Sequence, residues 1–222
     1  MWIAINAYNK DVQNELEMKH LTIERDGMNY VYVRDFDELK ERLADVVEEL
    51  EKKYDMQKDF IDGALANPNA AAIVDAIAAK VEAHVGPVIF TRDTHLDGLF
   101  EASLEGKLPK HCVRGTEGWM IDEKIAEAAK DKFTAAVDKV TFGNVNWNDT
   151  EDPMLQRVIA QADEIELVGT VAEICVAANA ILLRAMFPDK KIVVYKDMIA
   201  GLTDEGKAAA IKVLEAQMVE VV

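Results

Sequence analysis

The chain has 222 residues, half of them apolar and 30% charged, which suits one sizeable α/β domain or a domain with a small appendage. Acidic residues outnumber basic ones by 41 to 25, and the resulting net charge of −16 argues against nucleic-acid and anionic-membrane partners. No stretch approaches the roughly 20 apolar residues of a membrane span. The N-terminus lacks the basic region and cleavage site of a signal peptide, and two cysteines are too few for a disulfide framework, so a reducing cytoplasm is expected.

In chain order, residues 2–7 form a possible first strand. Residues 21–24 and 30–33 alternate in character around Asp26-Gly27, which predicts a hairpin. Residues 35–53 place Phe36, Leu39, Leu43, Val46, Val47 and Leu50 on one helical stripe, with Asp35 as a candidate cap. The expectation for residues 1–53 is a small ββα-like appendage. From residue 70 onward, helical and strand-like segments alternate. Helices are predicted over 70–83, 124–133, 155–163, 175–186 and 204–217, and strands over 88–91, 136–141, 165–169 and 191–195, with 218–222 closing the sheet. This alternation predicts a parallel β-sheet flanked by helices in residues 54–222, an α/β domain. Ligands in such sheets collect at the carboxyl ends of the strands.

The residues with chemical potential fall at those ends. Cys175 follows the strand over 165–169 and opens an apolar helix, where unpaired N–H groups and the helix dipole favour a thiolate and an oxyanion. A small buried hydrophobe in that place is the plain alternative. Lys139, at the end of the strand over 136–141, is either a surface residue or, if buried beside a thiol and a carboxylate, a charge that holds the thiolate. Asp93 and His95 follow the strand over 88–91, and with His111 they suit a borderline divalent cation such as zinc or iron. Asp55 opens the segment Asp55-Met56-Gln57-Lys58-Asp59-Phe60, whose acidic residues precede a glycine turn.

Taken in order, these segments resemble the nicotinamidase and isochorismatase-like superfamily of cysteine hydrolases. Residues 55–60 are similar to its D-x-Q-x-D-F segment, and 93–95 to its D-x-H metal motif. Residues 109–118 are similar to its P-x-H-C-x-x-G-T-x-G segment, and 169–176 to its nucleophile loop. The resemblance covers about three quarters of the chain and implies a three-layer α/β/α fold. It implies a catalytic triad of Asp55, Lys139 and Cys175, and a cis peptide between Val171 and Ala172 that aims the N–H groups of Ala172 and Cys175 at an oxyanion. It implies metal ligation by Asp93, His95, Glu105 and His111, with Glu101 competing for the place of Glu105; zinc is the expected ion, iron or manganese the alternatives. Phe60, and with it Phe142 or Trp147, would stack on a substrate ring.

The implied reaction is hydrolysis of a small amide through a thioester, nicotinamide to nicotinate in NAD salvage, by a homo-oligomer. Another small amide or carbamoyl compound, or a catalytically silent scaffold, are the alternative readings. Leu108 replaces the bulky aromatic that the family carries before its proline. In the family the triad aspartate also follows a central apolar strand, whereas here the charged segment 48–54 precedes Asp55. Either that strand is very short or residues 2–7 supply the central position.

Overall fold

The computed structural model describes residues 2–4, 22–25, 28–32, 56–148 and 152–222. The chain divides into two compact units, Met1–Lys52 and Lys53–Val222. In the first, β1 (Trp2–Ala4), β2 (Thr22–Arg25) and β3 (Met28–Tyr32) form an antiparallel sheet in the order β1-β3-β2. Pairing of Arg25 with Met28 is the register the predicted hairpin requires. Trp2–Ala4 pairs with β3 and so belongs to this small sheet rather than to a parallel one. The helix predicted over 35–53, and Asp55, lie outside the described residues.

The second unit is built from parallel strands flanked by helices. A short helix α1 (Lys58–Ile61) precedes α2 (Pro68–Ala83). Asn67 caps α2 by accepting the Asn69 N–H at 3.0 Å, and Pro68 sits where its missing donor costs nothing. The helix buries Ala70, Ile73, Val74, Ile77, Ala78 and Val81, a stripe at helical spacing. Strand β4 (Val88–Asp93) pairs in parallel with β5 (Thr134–Lys139). Strands β6 (Glu164–Thr170), β7 (Lys191–Ala200) and β8 (Glu220–Val221) form a second parallel ladder in that order. Between these lie α3 (Glu123–Ala128), α4 (Pro153–Gln161), α5 (Ala177–Met186) and α6 (Asp204–Ala216).

Alternate strand residues feed two cores. Phe90, with Val88 at its edge, packs against Ile73, Ile77, Ile125 and other residues of α2 and α3. Ala135, Ile192 and Val194, with Ile89, Ile165 and Leu167, pack instead against Leu155, Ala180, Leu183 and Leu214 of α4, α5 and α6. One helix set therefore covers each face of the strands, the three-layer arrangement expected.

Several boundaries differ from the sequence reading, among them the end of β7, which runs to Ala200 rather than stopping at 195. The helix predicted over 124–133 stops at Ala128, because Phe133 is drawn into the sheet: its carbonyl accepts the Val88 N–H at 3.0 Å. Strand β5 accordingly starts two residues early and ends at Lys139. Helix α4 begins at Pro153 because Asp152 caps it, accepting from the N–H groups of Met154 and Leu155.

Candidate active site and metal centre

The carboxyl ends of β4, β5 and β6 converge. After Thr170 the chain enters a single wide turn, Ala172–Val176, in which the Val176 N–H reaches back five residues to the Val171 carbonyl at 3.1 Å. Cys175 lies in this turn, directly before α5. The cis peptide is Thr170–Val171, one residue earlier than the expected Val171–Ala172 bond. Strand pairing explains the shift: Thr170 is still matched to Ala200, and the chain leaves the sheet immediately after it.

Lys139 ends β5 in the buried interior, 5% exposed, with Nζ 3.7 Å from Cys175 Sγ and 4.0 Å from Asp93 Oδ1. The surface alternative for this lysine is thereby removed. Asp55, the third residue of the expected triad, lies outside the described residues.

Asp93, His95, Glu105 and His111 are all buried, and one ligand atom from each lies within 4.8 Å of the others. His111 Nδ1–H donates to the Pro109 carbonyl at 2.8 Å, which fixes the ring and turns Nε2 inward. That Nε2 stands 3.2 Å from Glu105 Oε2 and 3.4 Å from Asp93 Oδ2, while His95 Nε2 stands 3.2 Å from Asp93 Oδ2. Glu101 is elsewhere, paired on the surface with Lys110, and Glu105 is the glutamate beside the two histidines.

Burial acts to lower the basicity of His111, but hydrogen bonds with Asp93, Glu105 and the Pro109 carbonyl outweigh it and push its pKa up to about 10. Burial likewise acts to raise Asp93, yet the His111 hydrogen bond and the Lys139 charge hold it below the ordinary carboxylate value. Two imidazoles and two carboxylates suit zinc or a similar divalent ion. Asp93 turns Oδ2 to both histidines, while its buried Oδ1 makes no hydrogen bond among the described residues and lies 4.0 Å from Lys139 Nζ. The donor set therefore fits a divalent cation.

Of the expected ring-stacking residues, Phe60 lines the cavity that holds Cys175, Lys139 and Asp93, and its ring lies 5.8 Å from that of His111. Trp147 borders the same cavity but is 5% exposed and belongs to the core of α4 and α5, with its indole N–H bonded to Asn179. Phe142 does not line this cavity; its carbonyl is held by Asn179 at 3.3 Å.

Several supporting residues were not singled out in the sequence. Phe100, 2% exposed, sets its ring edge-on to both His95 and His111. Gln57 exchanges two 2.8 Å hydrogen bonds with the backbone N–H and C=O of Asp93. Asp59 accepts from the N–H groups of Ala64 and Cys112, the latter next to His111 and in a left-handed conformation at φ +46°. Gln57 and Asp59 lay inside a recognised segment, but spacing alone gave them no task. Phe100 had no signal beyond being apolar.

A family model for the isochorismatase domain matches residues 54–222. Among solved structures, a pyrazinamidase/nicotinamidase from Streptococcus mutans is 26% identical over 77% of this chain and 97% of its own, with a TM-score of 0.65. A nicotinamidase from Bacillus subtilis is 24% identical over 77% and 96%, with a TM-score of 0.64. A pyrazinamidase of Pyrococcus horikoshii in complex with zinc is 21% identical over 77% and 96%, with a TM-score of 0.58, and shows a shared fold. No curated protein sequence matches the chain. With a family match over three quarters of its length, and with the parallel strands and helical layers just described, the chain belongs to the isochorismatase family.

Proposed function

We propose that the protein is a cysteine amidohydrolase acting on a small aromatic amide, with nicotinamide as the leading substrate. The observation that carries this reading is the buried Lys139 ammonium 3.7 Å from the Cys175 thiol, beside the Asp93, His95, Glu105 and His111 cluster. An ammonium in that place favours the thiolate by charge, and low local dielectric strengthens the effect.

In the proposed reaction Asp55 takes the thiol proton and Cys175 Sγ attacks the amide carbon. Backbone N–H groups of the nucleophile turn, that of Cys175 among them, face the oxyanion that develops. The C–N bond then breaks, ammonia leaves with the proton from Asp55, and a thioester remains on Cys175. Water adds to the thioester, giving its proton to Asp55, and collapse releases the carboxylic acid and returns the proton to sulfur. Asp93, His95, Glu105 and His111 would hold a divalent cation, which would supply Lewis-acid chemistry toward a ring nitrogen of the substrate. Phe60 stacks on that ring. The two cysteines and this chemistry support a cytoplasmic enzyme of NAD salvage, and the family resemblance supports a homo-oligomer.

A different small amide is favoured by one observation: Leu108, where the family carries an aromatic, is 47% exposed. Ammonia release from nicotinamide by wild type and by Cys175→Ala tests the proposal. Release by the wild type alone is expected. If neither protein releases ammonia from nicotinamide, the substrate assignment is wrong, and a panel of small amides then tests the chemistry.

A further inference from the structure

Asn179 is the third residue of α5, four positions beyond Cys175 in the preceding turn. It is 5% exposed, and its side chain makes four hydrogen bonds, its full ordinary complement. Nδ2 donates to the Cys175 carbonyl at 2.9 Å and to the Phe142 carbonyl at 3.3 Å. Oδ1 accepts from the Asn144 N–H at 2.9 Å and from the Trp147 indole N–H at 3.2 Å. One amide thus joins the nucleophile's own carbonyl to three residues of the loop that follows Lys139.

A second contact holds the same loop to the same helix. A Cβ on Gly143 would lie 2.6 Å from Leu182 Cδ1 and 3.2 Å from Ala178 Cβ, so the loop backbone is seated directly on α5. Lys139 leads into this loop, and Cys175 leads into this helix. Asn179, whose side chain bonds to both the loop and the Cys175 carbonyl, is therefore well placed to set how the two approach each other.

We infer that Asn179 is a positioning residue that fixes the Cys175 thiol relative to Lys139 by clamping the 141–148 loop onto the nucleophile turn. The inference rests on the amidohydrolase reading for its kinetic arm only. Asn179→Asp is nearly isosteric and keeps the acceptor for Asn144 and Trp147, but it sets a carboxylate oxygen against the carbonyls of Cys175 and Phe142. That repulsion moves the turn without emptying the core.

The test measures alkylation of Cys175 by iodoacetamide against pH, read by peptide mass, since Cys112 is fully buried. Steady-state amidase kinetics and the melting temperature are measured alongside. For folded Asn179→Asp the expected result is a shifted alkylation profile and a fall in kcat of roughly tenfold to a hundredfold, with a smaller change in KM. A folded Asn179→Asp protein whose alkylation profile and kcat both stay within twofold of wild type overturns the inference. If that variant does not fold, Trp147→Phe removes one of the four bonds; a change of about twofold or more in alkylation rate is then expected, and an unchanged rate overturns it. Alkylation needs no substrate, so a wild type without amidase activity would sink the functional reading while leaving this arm to decide on Asn179.

Discussion

Asp59 and Gly118 form a pair whose coupling is readable from geometry. The Asp59 carboxylate accepts the Ala64 N–H at 2.9 Å and the Cys112 N–H at 2.7 Å, and a Cβ on Gly118 would fall within 2.2–2.3 Å of its atoms. Pinned by two bonds, this short side chain has nowhere to swing. Hydrogen bonds to a charged group are worth about 1.5–3 kcal/mol each, and Asp59→Ala leaves two donors without their acceptor, so a loss of roughly 3–5 kcal/mol is expected. Gly118→Ala in the wild type is an overpacking change costing about 1–3 kcal/mol. In the Asp59→Ala background the obstacle is gone and the same substitution should cost under about 0.5 kcal/mol, a coupling of about 2 kcal/mol. Urea unfolding followed by tryptophan fluorescence gives all four corners of the cycle. Additive penalties, or a cost below about 1 kcal/mol for Asp59→Ala, would refute the reasoning.

Other outcomes follow from the metal cluster and the core. In chelator-treated protein the raised His111 contributes stability that is fully present below pH 6.5 and is lost as the pH rises through about 10. The melting temperature of that form should therefore fall across this window, and calorimetry showing a flat profile would contradict it. Glu105→Gln should weaken zinc binding by at least about tenfold in a chelator competition, while Glu101→Gln stays near wild type. Leu214, fully buried between α6 and the strands, should cost about 2–5 kcal/mol as Leu214→Ala in the same urea assay.

The order of strands and helices in the second unit was legible because its signals are local. Apolar periodicity marked α2, and short β-rich runs marked β4 and β6. Boundaries were less legible where a tertiary contact decides them, as at Phe133, whose carbonyl is claimed by Val88. The cluster of Asp93, His95 and His111 was visible as residue types at strand ends, and Glu105 by resemblance. What no pattern in one sequence can display is burial: Lys139 and Glu101 look alike as charged residues beside a turn or strand end, yet one is interior and the other is on the surface. The placement of Asn179 was illegible for the same reason, since its four partners are 4 to 37 residues away along the chain.

The Gln57 side chain carries an amide, and it binds Asp93 as a neighbouring peptide group would, giving one donor and one acceptor to the same residue. It acts as a borrowed rung of the ladder at the tip of β4. Its Nε2 also reaches the Trp119 carbonyl, and the backbone on either side is tied down by Lys58 N–H to Met120 and by Asp122 N–H to Met56. The segment that carries Phe60 is thus moored from its own residues outward. Gln57→Glu, which turns the donor into a second acceptor facing the Asp93 carbonyl, is the change that would cast the segment adrift.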